Sequence, residues 1–328
     1  MNDRAISLLD HYDIEVHRTR KGRGVYLCDT SKGSLVFMEY PGSADKACLQ
    51  DKLLKQIASL GKVITEEIIP CKDGKLLVQD HDGVSYLLKT HFDGVECNIR
   101  DPQDCTTAVE LLATLHSCME LTEPDCEGII AHSPGREFEK HTREMKKVKH
   151  YLLKKRQKTH FEFELLQNLD YFIDQAGEVY RHWKEYQTAI DAAQGSYPKI
   201  FCHGDYQHHN ILKKDRQWAV LNFERCVLDD PVRDLYLFMR KLLEKNDWSI
   251  PLGKQLLRSY QAIRPISLVS WIDLTYRFIY PEKFWKILNF YFNTGRSFIS
   301  ERNQEKLDKL LAQEKLKQDF INEVFREL

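Results

Sequence analysis

The run Phe201-Cys-His-Gly-Asp-Tyr-Gln-His-His-Asn-Ile-Leu212 constrains this chain more than any other stretch. His203 and Gly204 lead into Asp205 on a tight turn, Asn210 follows five residues later, and the apolar pair Ile211-Leu212 reads as a strand leaving the turn. At ordinary residue frequencies, H-G-D-x4-N arises by chance in only about one in a thousand chains of this length. The spacing puts a carboxylate able to accept a proton and an amide oxygen able to hold a hard cation on one short loop, as phosphoryl transfer requires. A polar hairpin turn, whose His and Asn bond only backbone groups, is the alternative reading.

The second half of such a site should follow a short hairpin. After the turn residues Lys213 to Gln217, the apolar run Trp218-Ala-Val-Leu221 reads as a buried strand. Kinase-like phosphotransfer sites place a metal-binding carboxylate at the end of this strand. The residue there is Asn222, with Glu224 two positions on. Next comes Asp229-Asp-Pro-Val-Arg-Asp-Leu235, which opens an apolar helix. Asp234 is placed to brace the catalytic turn by accepting backbone N–H groups. Asp230 and Asp234 also suit helix capping beside Pro231, and the two roles are compatible.

These motifs resemble the aminoglycoside phosphotransferase superfamily of kinase-like folds, and within it the spore-coat (CotS-type) branch. The resemblance runs through Phe92-Asp-Gly-Val-Glu-Cys97, Leu111-Leu-Ala-Thr-Leu-His116 and Asp230-Pro-Val-Arg-Asp-Leu-Tyr-Leu-Phe238. It continues in Tyr280-Pro-Glu-Lys-Phe-Trp-Lys-Ile-Leu-Asn-Phe-Tyr291, the most discriminating segment, so it covers nearly the whole chain. It implies a two-lobed α+β protein-kinase-like fold, with a β-rich N-lobe over residues 1–94 and a helical C-lobe over 95–328. The catalytic hairpin would lie near 201–224. It further implies ATP and Mg2+ as cofactors, Asp205 as base, and Asn210, Asn222 and Glu224 around the metal. His203 and Asp234 would be structural. Met38, His91 and Phe92 would lie against the nucleotide, the last two beside a hinge at Asp93-Gly94. Other spore-coat proteins are implied as partners, with assembly on the spore coat after cytoplasmic synthesis.

Two departures predict a weak or inactive phosphotransferase with a structural role. Hard cations prefer carboxylates, so an amide at Asn222 weakens a magnesium site by one charge. Glu224 supplies that charge only if it shares a face with Asn222 along a regular strand. The candidate phosphate-binding strand, Leu35-Val-Phe-Met-Glu-Tyr40, has no lysine, and Met38 stands where one is expected. The glycine-bearing loop Arg20-Lys-Gly-Arg-Gly24 reads as a hairpin turn as readily as a phosphate loop. The alternative is an active ATP- and Mg2+-dependent enzyme phosphorylating a hydroxyl of a small molecule or a coat component.

The rest of the chain sets limits. Its 328 residues are 42% hydrophobic, enough for two lobes, and 48 basic against 49 acidic residues leave a net charge of −1. No global field therefore recruits nucleic acid or an anionic membrane. The N-terminus Met1-Asn-Asp-Arg-Ala-Ile-Ser7 has no apolar signal core, and no apolar run reaches membrane-spanning length. Nine cysteines without a C-x-x-C pair point away from zinc and disulfides, toward a reducing cytosol.

Strands are expected at 24–29, 35–40, 76–80 and 86–92, and helices at 44–60 and 104–119. Asp51 is the one acid inside the first helix well placed to meet a lysine, and it has none to meet; His116 reads as a core histidine. Residues 136–194 read as one long charged helical stretch, with Phe163, Leu166, Tyr171, Ile173, Val179 and Trp183 along its packed side. Its lysine cluster, 146 to 158, reads as a solvated face. An amphipathic helix over 301–328 should dock through Leu307, Leu310, Leu311, Phe320, Val324 and Phe325.

Overall fold

A computed structural model describes residues 3–22, 24–120, 129–192, 199–293 and 301–325. Arg23 of the glycine-bearing loop, residues 193 and 194, and the last three residues of the expected C-terminal helix lie outside this set. In chain order the structure runs β1 (Val16–Lys21), β2 (Val25–Thr30), β3 (Gly33–Glu39), α1 (Ala44–Leu60), β4 (Ile64–Thr65), β5 (Ile68–Ile69), β6 (Val78–Gln79), β7 (Ser85–Thr90) and β8 (Val95–Glu96). Helices α2 (Pro102–Cys118), α3 (Pro134–Lys154) and α4 (His160–Ala192) follow. A second group of strands comprises β9 (Ile200–Cys202), β10 (Ile211–Lys214), β11 (Gln217–Val220) and β12 (Val227–Asp229). The chain closes with α5 (Val232–Lys245), α6 (Ile250–Ile263), α7 (Leu268–Ile279), α8 (Glu282–Asn293) and α9 (Glu301–Val324).

The chain divides into two compact units. The first comprises Met1–Ile130, Lys199–Phe238 and Ser259–Pro265. Its main sheet has the order β1-β2-β3-β7-β5, with β6 also paired to β7. Antiparallel β3 and β7 pair Val36 with Lys89, Phe37 with Leu88 and Met38 with Leu87. Side chains alternate along a strand, so Leu35, Phe37, Tyr86 and Leu88 face one way, against Ala5, Leu9 and Tyr12 of the 3₁₀ segment Asp3–His11. Val36, Met38, Leu87 and Lys89 face the other, where Leu87 packs with Tyr40 and Ala47 of α1. Helix α1 starts where Ser43 Oγ accepts the Lys46 N–H at 3.2 Å and stops at Gly61, which takes φ +63°. A second sheet, β4-β11-β10-β8, carries the hairpin that follows Asn210, and β9 pairs with β12.

The second unit comprises Ala131–Pro198, Met239–Arg258 and Ile266–Leu328. The expected single helix over 136–194 is two helices. Thr159 and Glu162 form a reciprocal cap: the Thr159 N–H donates to Glu162 Oε2 at 2.9 Å and the Glu162 N–H to Thr159 Oγ1 at 3.2 Å, which starts α4 afresh. The packed stripe of α4 is Phe161, Leu165, Leu169, Phe172, Ala176, Val179 and Trp183. Phe163 and Tyr171, expected on that side, are 56% and 50% exposed. Phe163 lies two residues from Phe161, more than half a turn around the helix, so both cannot face one core. The stripe packs with Tyr280, Phe284, Leu288 and Tyr291 from the Tyr-Pro-Glu-Lys-Phe-Trp segment, and with Leu307 and Leu310 of α9. Phe320 and Phe325 are buried as well. Within the lysine cluster, Lys149 pairs with Asp170 and Lys155 with Glu162.

Candidate active site

All the residues described below belong to the first unit. Strand β9 delivers His203 and Gly204 to a turn that Asp234, at the start of α5, holds in place. Asp234 Oδ2 accepts the His203 N–H at 2.6 Å, and Oδ1 accepts the Gly204 N–H at 2.9 Å. Gly204 is at φ +77°, and a Cβ there would lie 2.0 Å from the Arg225 carbonyl oxygen, so the turn excludes any other residue. His203 Nδ1 accepts the Asp205 N–H at 3.2 Å, which leaves the ring proton on Nε2 to donate to the Leu221 carbonyl at 2.9 Å. His203 thus ties the turn to the end of β11.

Behind the turn, the fully buried His116 touches Asp234 Oδ2 at 3.3 Å through Nε2 and the Tyr260 hydroxyl at 2.8 Å through Nδ1. Burial pushes the Asp234 carboxyl up, but the bonds from His116 and Gly204 outweigh it and hold its pKa below the ordinary value. Burial pulls the pKa of His116 down, against the pull of Asp234.

Asp205 itself is half-buried. Its Oδ1 accepts from Gln207 Nε2 at 2.5 Å, and its Oδ2 lies 3.7 Å from the Arg225 guanidinium. Asn210, on the 3₁₀ turn after it, points its Nδ2 back to the Asp205 carbonyl at 2.8 Å. Asn222 follows β11 in a left-handed conformation, φ +71°. That kink replaces the regular strand on which Glu224 was expected to share a face with Asn222; Phe223–Arg225 is a 3₁₀ turn. Glu224 and Asn222 nevertheless converge, because both reach one lysine.

That lysine is Lys89 of β7. Its ammonium donates to Asn222 Oδ1 at 2.8 Å, to Glu66 Oε2 at 2.9 Å and to Glu224 Oε1. Lys89 is 2% exposed and Glu66 1%. Burial pulls the ammonium toward neutrality, but Glu66 and Glu224 outweigh it, so its pKa lies above the ordinary lysine value. Glu66 also accepts the backbone N–H groups of Asn222 at 2.7 Å and Phe223 at 3.1 Å. Sequence reasoning missed Lys89 and Glu66. The available signal was a lysine inside the apolar run Tyr86-Leu-Leu-Lys89.

Met38 shares the face of Lys89 but packs against the Tyr40, Ala47 and Leu87 cluster. The lysine of this cluster thus lies on β7, paired with β3, and not on β3 itself. The acid it meets is Glu66 rather than one from α1, since Asp51 pairs with Lys55 at 2.6 Å. His91, whose N–H donates to the Ser34 carbonyl at 3.1 Å, and Phe92 are half-buried just after β7.

The donor set does not fit a divalent cation as it stands. Asn222 Oδ1 is committed to Lys89, and Asn210 Oδ1 accepts from Asn222 Nδ2 at 2.7 Å. Flipping either amide would set N–H against N–H. The amide oxygens of Asn210 and Asn222, and Oε1 of Glu224, therefore already have hydrogen-bond donors.

Comparison with known proteins agrees with this architecture. Residues 5–324 match the family model described as spore coat putative kinase YutH. The chain belongs to that family. The spore-coat reading made from the sequence is borne out. Among solved structures, an aminoglycoside phosphotransferase from Alicyclobacillus acidocaldarius superposes with a TM-score of 0.83 at 17% identity, covering 97% of this chain and 94% of that one. The spectinomycin phosphotransferase APH(9)-Ia in its AMP-bound complex gives 0.63 at 12% identity, over 96% and 97% of the two chains. Amicoumacin kinase hAmiN, in complex with AMP-PNP, Ca2+ and Ami, gives 0.64 at 10% identity over 97% and 94%. The YutH-family chain thus has the α+β aminoglycoside phosphotransferase fold. No curated protein sequence matches it significantly.

Proposed function

We propose that this chain is a spore-coat component that keeps a kinase-like fold, with phosphotransferase activity weak or lost. One observation carries the reading: the side chain at the metal position is the neutral Asn222, with its oxygen and its nitrogen both committed to protein partners. Met38 supports it, as an apolar residue at the position expected for a phosphate-binding lysine. In this reading ATP and Mg2+ bind weakly or not at all, and the partners are other spore-coat proteins met at the spore surface after cytoplasmic synthesis.

A second reading rests on the catalytic turn, which remains braced by Asp234 with the Asp205 carboxylate half-buried. There Asp205 would accept the proton of a hydroxyl on a small molecule or a coat component, Asn210, Asn222 and Glu224 would face the metal, and His91 and Phe92 the nucleotide. Release of ADP from ATP and Mg2+, with spore-coat extract as acceptor, separates the two. The structural reading expects the same rate from the parent as from Asp205→Ala. A parent rate tenfold or more above that control favours the enzyme.

A further inference from the structure

An ammonium has three N–H donors and no acceptor, and those of Lys89 go to Glu66, Glu224 and Asn222. None is left for a phosphate, so Lys89 does not stand in for the lysine that β3 lacks. Nor does solvent offer replacement partners, since Lys89 and Glu66 are both sealed from it. We propose that Lys89 is a resident cation taking the place of a divalent metal in this cluster, an inference that rests on the structural reading above and deepens it.

The hydrogen-bond pattern carries the argument. Polarity runs one way, from the Lys89 ammonium to Asn222 Oδ1, from Asn222 Nδ2 to Asn210 Oδ1, and from Asn210 Nδ2 to the Asp205 carbonyl. Only an amide can serve at position 222 in this chain, because it must accept from the ammonium and donate to Asn210. An ionised aspartate accepts only, and would leave Asn210 Oδ1 without its donor. Asn222 is therefore matched to Lys89 rather than being a lone loss. Charge points the same way: Lys89 already lies against two carboxylates, so an aspartate at 222 adds a third without removing the ammonium. A divalent cation would have to take oxygens that Lys89 holds, by expelling a buried positive charge. Lys89, more than the missing carboxylate at 222, keeps metal out.

Mn2+ titration followed by its electron paramagnetic resonance signal tests this in the parent, Asn222→Asp, Lys89→Met and the double variant. The expectation is that Asn222→Asp stays within threefold of the parent. The two variants lacking Lys89 bind Mn2+ at least tenfold more tightly. Equal gains in Asn222→Asp and the double variant would overturn the proposal, as would a parent binding Mn2+ as tightly as either variant lacking Lys89. Should Lys89→Met fail to fold, nitrogen-15 spectra of the parent's lysine ammonium groups decide instead. A slowly exchanging Lys89 signal left unbroadened by Mn2+ is expected, and a signal absent or broadened by Mn2+ overturns the proposal. The structural reading itself fails by a different readout, ADP release above the Asp205→Ala control.

Discussion

Asp205 and Asp234 serve the same turn in different ways, and their substitution separates them. Asp234 is buried and accepts two backbone N–H bonds. Removing it strands buried donors at roughly 1–3 kcal/mol each. The Asp205 carboxylate, by contrast, accepts from the Gln207 side chain and pairs with the exposed Arg225, and it holds no backbone N–H group among the described residues. We expect Asp234→Ala to melt several degrees below the parent and Asp205→Ala within about one or two degrees of it, since losses at partly exposed sites are small. Equal melting temperatures would contradict the bracing role. At this scale the sequence disclosed what is local: His203, Asp205, Asn210 and Asp234 follow from spacing along one stretch. Lys89 and Glu66 did not emerge because strand pairing, not spacing, brings them to Asn222 from far away in the chain.

At the level of elements, patterning found α1, α2, α5 and α9, merged α3 with α4, and gave no reading for α6, α7 and α8. Helix α1 spans Ala44–Leu60, as its apolar period and flanking Ser43 and Gly61 indicate. The break between α3 and α4 carries no proline or glycine to announce it; the signal was the Thr159-x-x-Glu162 cap. Strand β1 was missed because its Val-His-Arg-Thr-Arg-Lys sequence is charged and mostly exposed. Gly135 near the start of α3 yields a sharp test, since a Cβ there would sit 1.9 Å from the Trp183 ring of α4. Gly135→Ala should destabilise the protein by about 1–3 kcal/mol, the usual cost of overpacking. An unchanged unfolding midpoint in urea would show that these two helices do not pack as described.

Across the whole molecule, family and fold extend over nearly the full chain, and stability should depend on pH through the buried His116 and the half-buried His141. Burial depresses the pKa of His141, stacked on Trp285, to about 4, and that of His116 is lowered too. In the unfolded chain both titrate near the usual value of about 6.5. Between those limits the unfolded state binds more protons, so stability falls as pH drops below about 6.5 and is level above it. Asp234 and Glu244, whose pKa values lie below the ordinary carboxylate range, extend the loss at still lower pH. The melting temperature should therefore be clearly lower at pH 5 than at pH 7.5. A melting temperature equal or higher at pH 5 would contradict the neutral state of these two rings.

The most direct measurement is thermal unfolding of the parent with ATP, with and without Mg2+. A ligand at one hundred times its dissociation constant stabilises the native state by about 2.7 kcal/mol. With Asn222 and Asn210 committed to Lys89 and to each other, millimolar ATP should raise the melting temperature little, and adding Mg2+ should not increase that rise. A large shift that appears only when ATP and Mg2+ are both present would mean that the cluster opens to a metal–nucleotide complex, and would contradict the account of a site held closed by Lys89.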